Sequence, residues 1–326
     1  MALTISDIKV FKAANNSDTT ANGGAITTNE VVDVVGALFP NVDNSERITG
    51  STKWRKMFFK IGSNDANALM SSRVYQDVDT QGQDIILMAK GTSTDTQSAI
   101  DDSNLYASVG LDTSVIAGAT MIIVNIPPVT TNWFAVGHTV RITDKLASDN
   151  TGNEEFFSIT NVSVNGSQVS LTLSDILANN YIASATRVMN VMQIGTVVAL
   201  PTNLAKTSSA GLFDLSKVTC TNRATVDASW TITFNSSSTY TVTSSLLAGG
   251  SVGNTSSTCA INNPTYSLPY FSIDPAAFSG SFVIGDVVSF TTVAAIVPVW
   301  LKRMIPAGAA PVAINKAYFI LDGGSV

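Results

Sequence analysis

The chain has 326 residues, more than one compact core usually organises, which predicts two or three domains. Charged side chains make up 13% and hydrophobic ones 45%. The charged share of an average soluble protein is about 25%, so here Ser, Thr and Asn must cover much of the surface, and such a surface dehydrates cheaply at a contact. With 18 basic and 24 acidic residues the net charge is −6, which disfavours a polyanion and therefore a nucleic-acid partner.

The first residues, MALTISDIKVFKAANN, lack a basic segment followed by an apolar one, and no run approaches the roughly 20 apolar residues of a membrane span. Synthesis and assembly in a cytoplasm, without a membrane, are the expectation. ITTNEVVDVVGALFP (26–40) predicts a helix: Thr27 and Glu30 have capping-box spacing, and Val31, Val34, Val35 and Leu38 recur at helical intervals up to Pro40. The following TKWRKMFFKI (52–61) has strand propensity and places Trp54 and Phe58 on one side. A mixed N-terminal unit is expected.

Beyond residue 107 the pattern is mainly short antiparallel strands. The only histidine lies in FAVGHTVRIT (134–143), and FVIGDVVSFT (282–291) repeats its Phe, Gly, Val and Thr in register. Both read as a strand arriving, a glycine (Gly137, Gly285) permitting a turn, and a strand leaving. His138 thus falls where the second copy has Asp286, which makes it a turn residue, or an interface contact, in preference to a catalyst.

DKLASDNTGNEE (144–155) gathers Asp144, Asp149, Asn150, Asn153 and Glu154, oxygen ligands of the kind calcium accepts, but without the spacing of an EF-hand, so a solvated loop is expected. Glu154 and Glu155 are the most noticeable carboxylate pair. Neighbours on a strand face opposite ways, so the two cannot attack one sugar together. SITNVSVNGSQVSLTL (158–173) predicts a hairpin about Asn165-Gly166, with Val169, Leu171 and Leu173 on one face. ASWTITFNSSSTYTVTSS (228–245) predicts another, with Trp230, Ile232 and Phe234 aligned. Cys220 and Cys259 read as free buried thiols.

RVMNVMQIGTVVALPTNLAKTSSAGLF (187–213) reads as a return to a central body followed by a linker. In AAIVPVWLKRMIPAGAAPVAINKAYFILDGG (294–324), Trp300 and Lys302 repeat the aromatic-then-basic alternation of Trp54 and Lys56. The expected organisation is a discontinuous base domain (1–107, 189–212 and 294–326) with two β insertions, 108–188 and 213–293. The fold class is mainly β, in multi-module antiparallel sandwich-like or barrel-like domains with one or few short helices. Trp54, Arg55, Lys56, Phe58, Trp300, Lys302 and Arg303, with Gly137 and Gly285, are the structural and interface candidates. The basic ones flank aromatics on strands and predict interface salt bridges or solvated faces over phosphate contacts.

TKWRKMFFKI, then ILMAKGTSTDTQ, FVIGDVVSF and VPVWLKRMIPAGAAP, form an ordered set that resembles virion structural proteins of tailed bacteriophages, especially of the tail and baseplate region. The resemblance implies a virion subunit, assembled in the host cytoplasm, that contacts copies of itself and other tail or baseplate proteins. It carries over no catalytic residue. GxxxxGK[ST], HExxH and paired CxxC are all missing from the sequence, so no enzyme activity, cofactor, metal or small-molecule substrate is expected. The alternative is a receptor- or glycan-binding module of the virion, which would surround a pocket with exposed aromatics.

Overall fold

The computed structural model describes residues 3–34, 36–126, 133–145, 151–208 and 210–325. The fold is mainly β, 51% strand and 6% helix, and every strand pairing is antiparallel.

At its centre lies a five-stranded sheet in the order Gly23–Glu30, Ile8–Asn15, Ser51–Ile61, Ile296–Ile305, Ile85–Lys90. The two middle strands come from opposite ends of the chain and pair over their whole length, with Lys56 opposite Trp300 and Phe59 opposite Val297. Because side chains alternate across a sheet, Trp54 and Trp300 leave by one face while Met57, Phe59, Val299 and Leu301 leave by the other. The two faces supply two different cores. Trp54, Leu87, Ala89 and Trp300 pack with Leu105, Trp133, Ile142, Leu171 and Tyr181. Met57, Phe59, Met88, Val299 and Leu301 pack with Trp230, Phe234, Tyr240, Phe271 and Phe290.

The first of these cores is covered by an eight-stranded sheet. Its main path runs Tyr318–Ser325, Leu69–Val78, Arg187–Val197, Thr139–Thr143, Glu154–Asn165, Gln168–Leu173, Met121–Asn125, and Ser108–Gly110 pairs separately with Arg187–Val197. This sheet therefore continues from residues 108–188 into strands of the terminal segments. The second core is covered by a five-stranded sheet, Leu200–Lys206, Val287–Val293, Ala228–Phe234, Thr239–Thr243, Ser251–Asn254, and by a three-stranded one, Val218–Cys220, Leu268–Ile273, Cys259–Asn263. Cys220 and Cys259 lie on the two outer strands of the latter as free, buried thiols.

Both expected hairpins form. In the first, Val169, Leu171 and Leu173 are buried, but Asn165 pairs with Gln168, so the two-residue turn is Gly166-Ser167, one position beyond the expected one. Gly166 has φ +64, the left-handed value such a turn needs. In the second, Trp230, Ile232 and Phe234 are buried.

The helix expected over 26–40 does not form. Gly23–Glu30 is a strand paired with Ile8–Asn15, and residues 31–34 and 36–42 are irregular; Val35 lies outside the described residues. Thr27 is drawn into the sheet instead of capping a helix, its hydroxyl donating to the Lys12 carbonyl. β-Branched valines interrupted by Gly36 offered a helix little to resist this. The one α-helix among the described residues is Asn44–Thr49, opened by a capping box between Asp43 and Glu46.

The matching segments share a turn in atomic detail. Gly137 N–H donates to the Ile159 carbonyl and Ile159 N–H to that of His138; Gly285 N–H donates to Phe234 and Phe234 N–H to Asp286. The glycines have φ +88 and +90, and the preceding Phe134 and Phe282 are buried. Their sheets differ, however. The partner strand follows the turn in sequence in the first case and precedes it in the second. The common element is a local turn, set in two strand orders.

Candidate functional site

The basic and aromatic residues singled out from the sequence prove to be internal. Trp54, Arg55, Lys56, Phe58, Trp300 and Arg303 are all buried within the chain itself. The Lys56 ammonium lies 2.6 Å from the Asp95 carboxylate and also donates to the carbonyls of Gly24 and Asp95. Asp95 in turn accepts from the Trp300 indole N–H at 2.8 Å and from Thr92 N–H. Burial pulls the Lys56 pKa down while Asp95 holds it partway up. Lys53 and Arg55 share Asp18, Lys53 also reaches Glu46, and Lys302 pairs with Asp102. These pairs are intramolecular, so they are neither the interface bridges nor the open cationic stripe that the sequence offered. They pin the segments 17–24, 43–46 and 91–102 onto the central sheet.

The other sequence candidates are similarly engaged. Glu154 binds Arg141 and Lys145, while Glu155 accepts from Ala178 N–H, Asn179 N–H and side chain, and the Tyr181 hydroxyl. Burial raises each carboxyl's pKa, but these donors outweigh it and both end below the ordinary glutamate range. Neither is therefore poised to donate a proton near neutrality. Arg141, which the sequence did not single out, is buried between Asp77 and Glu154 and lies over the Tyr75 ring. Asp144 accepts from the backbone and side chain of Asn153, closing its own loop; Asp149 and Asn150 lie outside the described residues. Among the described residues no group of three or more His, Cys, Asp or Glu could hold a metal ion, and no helix is long and apolar enough to cross a membrane.

His138 is half-buried rather than open on its turn. Its ring stacks on Tyr106 at 5.7 Å, its Nδ1 is buried without a partner, and burial pulls its pKa down. The corresponding Asp286 accepts from Val283 N–H and closes its turn.

A cavity of about 590 Å³ opens on the Met57 face of the central sheet. Its floor is Met57, Phe59, Ile86, Leu301, Arg303 and Ile305; its walls are the irregular residues 31–34 and 36–42 and residues 309–313 and 315–319. Exposed aliphatic side chains in its lining are Val32 at 56%, Val34 at 58% and Val312 at 40%. Among the described residues Tyr318, also on this rim, is the single aromatic in the set of exposed large hydrophobics. No sequence pattern marked this site, because its walls are loops that come from opposite ends of the chain.

No protein-family model, no characterised protein and no solved structure matches the chain.

Proposed function

We propose that the chain is a structural subunit of a tailed-phage virion, in the tail or baseplate region, working through assembly rather than turnover. On this reading the terminal segments (1–107, 189–212, 294–326) form the base, and 108–188 and 213–293 are the modules it carries. The observation that carries the reading is the aliphatic rim of Val32, Val34 and Val312 around an open groove, on a chain with 13% charged residues. Clustered exposed aliphatic groups are costly in water and are relieved by a protein contact. The ordered resemblance to tail proteins supports the same conclusion. A receptor- or glycan-binding module is less well supported, because such sites stack sugars on exposed aromatics and the groove has one, Tyr318.

Quantitative mass spectrometry of purified particles tests this. A fixed stoichiometry of several copies per particle is expected. Absence of the chain from particles would remove the reading.

A further inference from the structure

Arg303 stands out in the cavity floor. One of its guanidinium nitrogens, Nη1, donates to the Pro40 carbonyl at 3.0 Å, while Nε and Nη2 are buried with no partner. These two are the side-on edge of the guanidinium, whose parallel N–H bonds match the two oxygens of one carboxylate. A buried cation with half its donors unmet is costly unless something meets them. Among the described residues nothing does. Asp84 and Glu46 act on Arg303 only through space, since Asp84 is bonded to Asn315, and Glu46 to Lys53 and the Asp43 N–H.

The charge of the lining agrees. Arg47, Lys316 and Arg303 face Asp33 and Asp84, three positive against two negative, and Lys316 is already paired with Asp33. The rest of the lining is mostly hydrocarbon, including Val10, Leu38, Met57, Phe59 and Leu301, with the polar side chains of Asn41, Thr80, Gln83 and Asn315. Small-molecule sites typically span about 300–1,000 Å³, with an apolar lining and few polar groups.

We propose that this cavity binds an aliphatic monocarboxylate, its carboxylate on the Nε–Nη2 edge of Arg303 and its chain against Met57, Phe59 and Leu301. A free amphiphile suits the site better than an acidic side chain of a partner. Asp or Glu would bring its own peptide N–H and C=O groups against Met57, Phe59 and Leu301, side chains that offer them no hydrogen-bond partner. Both nitrogens are covered, and the Phe39 ring centre lies 4.8 Å from the guanidinium carbon, so binding displaces the irregular residues 36–42 that carry Phe39. The proposal departs from the expectation of no small-molecule ligand, and it stands or falls independently of the virion reading.

Titration calorimetry of the full chain with sodium octanoate, 1-octanol and octylammonium tests it. Octanoate is expected to bind about tenfold or more tighter than octanol, the margin of one charge-assisted contact, and octylammonium more weakly than either. In Arg303→Met octanoate should fall to the level of octanol, whose own binding is unchanged. Should that variant fail to fold, the Arg303 Nε–H resonance of the unaltered protein still decides, since it should shift with octanoate and not with octanol. Equal binding of octanoate and octanol, no binding of either, or an unmoved Nε–H resonance would overturn the proposal.

Discussion

The indole of Trp54 meets that of Trp300 edge to face, ring centroids 6.4 Å apart and planes at 87°. This contact joins the two ends of the chain at the centre of the fold, with Lys302 over the Trp54 ring and Lys56 over that of Trp300. Replacing Trp54 by Ala should cost about 3–5 kcal/mol, the transfer and cavity terms of a large buried ring. Trp300→Ala should cost at least as much, because it also leaves Asp95 without its indole donor. Chemical denaturation measures both; a loss below about 1 kcal/mol in either would show that the ring does not pack as described.

The Lys56–Asp95 pair should respond asymmetrically. Asp95→Ala strands a buried ammonium and should destabilise by about 3–5 kcal/mol. Lys56→Met removes the cation but leaves Asp95 its Trp300 and Thr92 donors, so it should cost clearly less. Equal losses from the two changes would contradict the hub role given to Asp95.

The two turn glycines differ from most glycines in the chain in needing only their backbone conformation. A Cβ at Gly137 or Gly285 would meet nothing within 4 Å, yet both have positive φ. Ala at either site should therefore cost about 1–2 kcal/mol through strain alone. At Gly23, by contrast, φ is +108 and a Cβ would lie 2.5 Å from the Trp300 ring, so Gly23→Ala should be the most damaging of the three. Thermal melts of the three variants rank them.

His138 should titrate below its ordinary 6.5, since burial disfavours the imidazolium. With the folded pKa depressed, the unfolded chain binds more protons as pH falls below about 6.5, so the contribution of His138 to stability is present above that pH and lost as pH drops toward the folded value. An NMR titration with a midpoint at or above 6.5 would contradict this. His138→Asp should cost about 0.5–1.5 kcal/mol, the worth of the Tyr106 stacking, although Asp suits the matching turn.

Much of the architecture was legible where period and turn chemistry agree. The alternation in 158–173 and 228–245 fixed both hairpins and their buried faces, and the shared Phe and Gly of the two decapeptides did find one turn made twice. Legibility failed at 26–40, where helical spacing of valines competed with their β preference, and the Ile8–Asn15 strand decided by offering hydrogen bonds from outside the window. It failed again for the basic residues, whose partners Asp18, Asp95 and Asp102 come from loops elsewhere in the chain. The groove was invisible for the same reason: residues 36–42 and 309–313 meet only because Ser51–Ile61 pairs with Ile296–Ile305.

If the rim is an assembly surface, paired Val32→Lys and Val312→Lys changes should leave the fold intact, since both positions are exposed, and should lower incorporation into particles. Circular dichroism and particle composition separate the two effects. Normal incorporation of the double variant would place the contact elsewhere.

Electron cryo-microscopy of intact particles tests the central claim most directly. The account predicts several symmetry-related copies in the tail or baseplate region, with Val32, Val34 and Val312 buried against a neighbouring subunit. A single unattached copy, or particles that lack the chain, would contradict it.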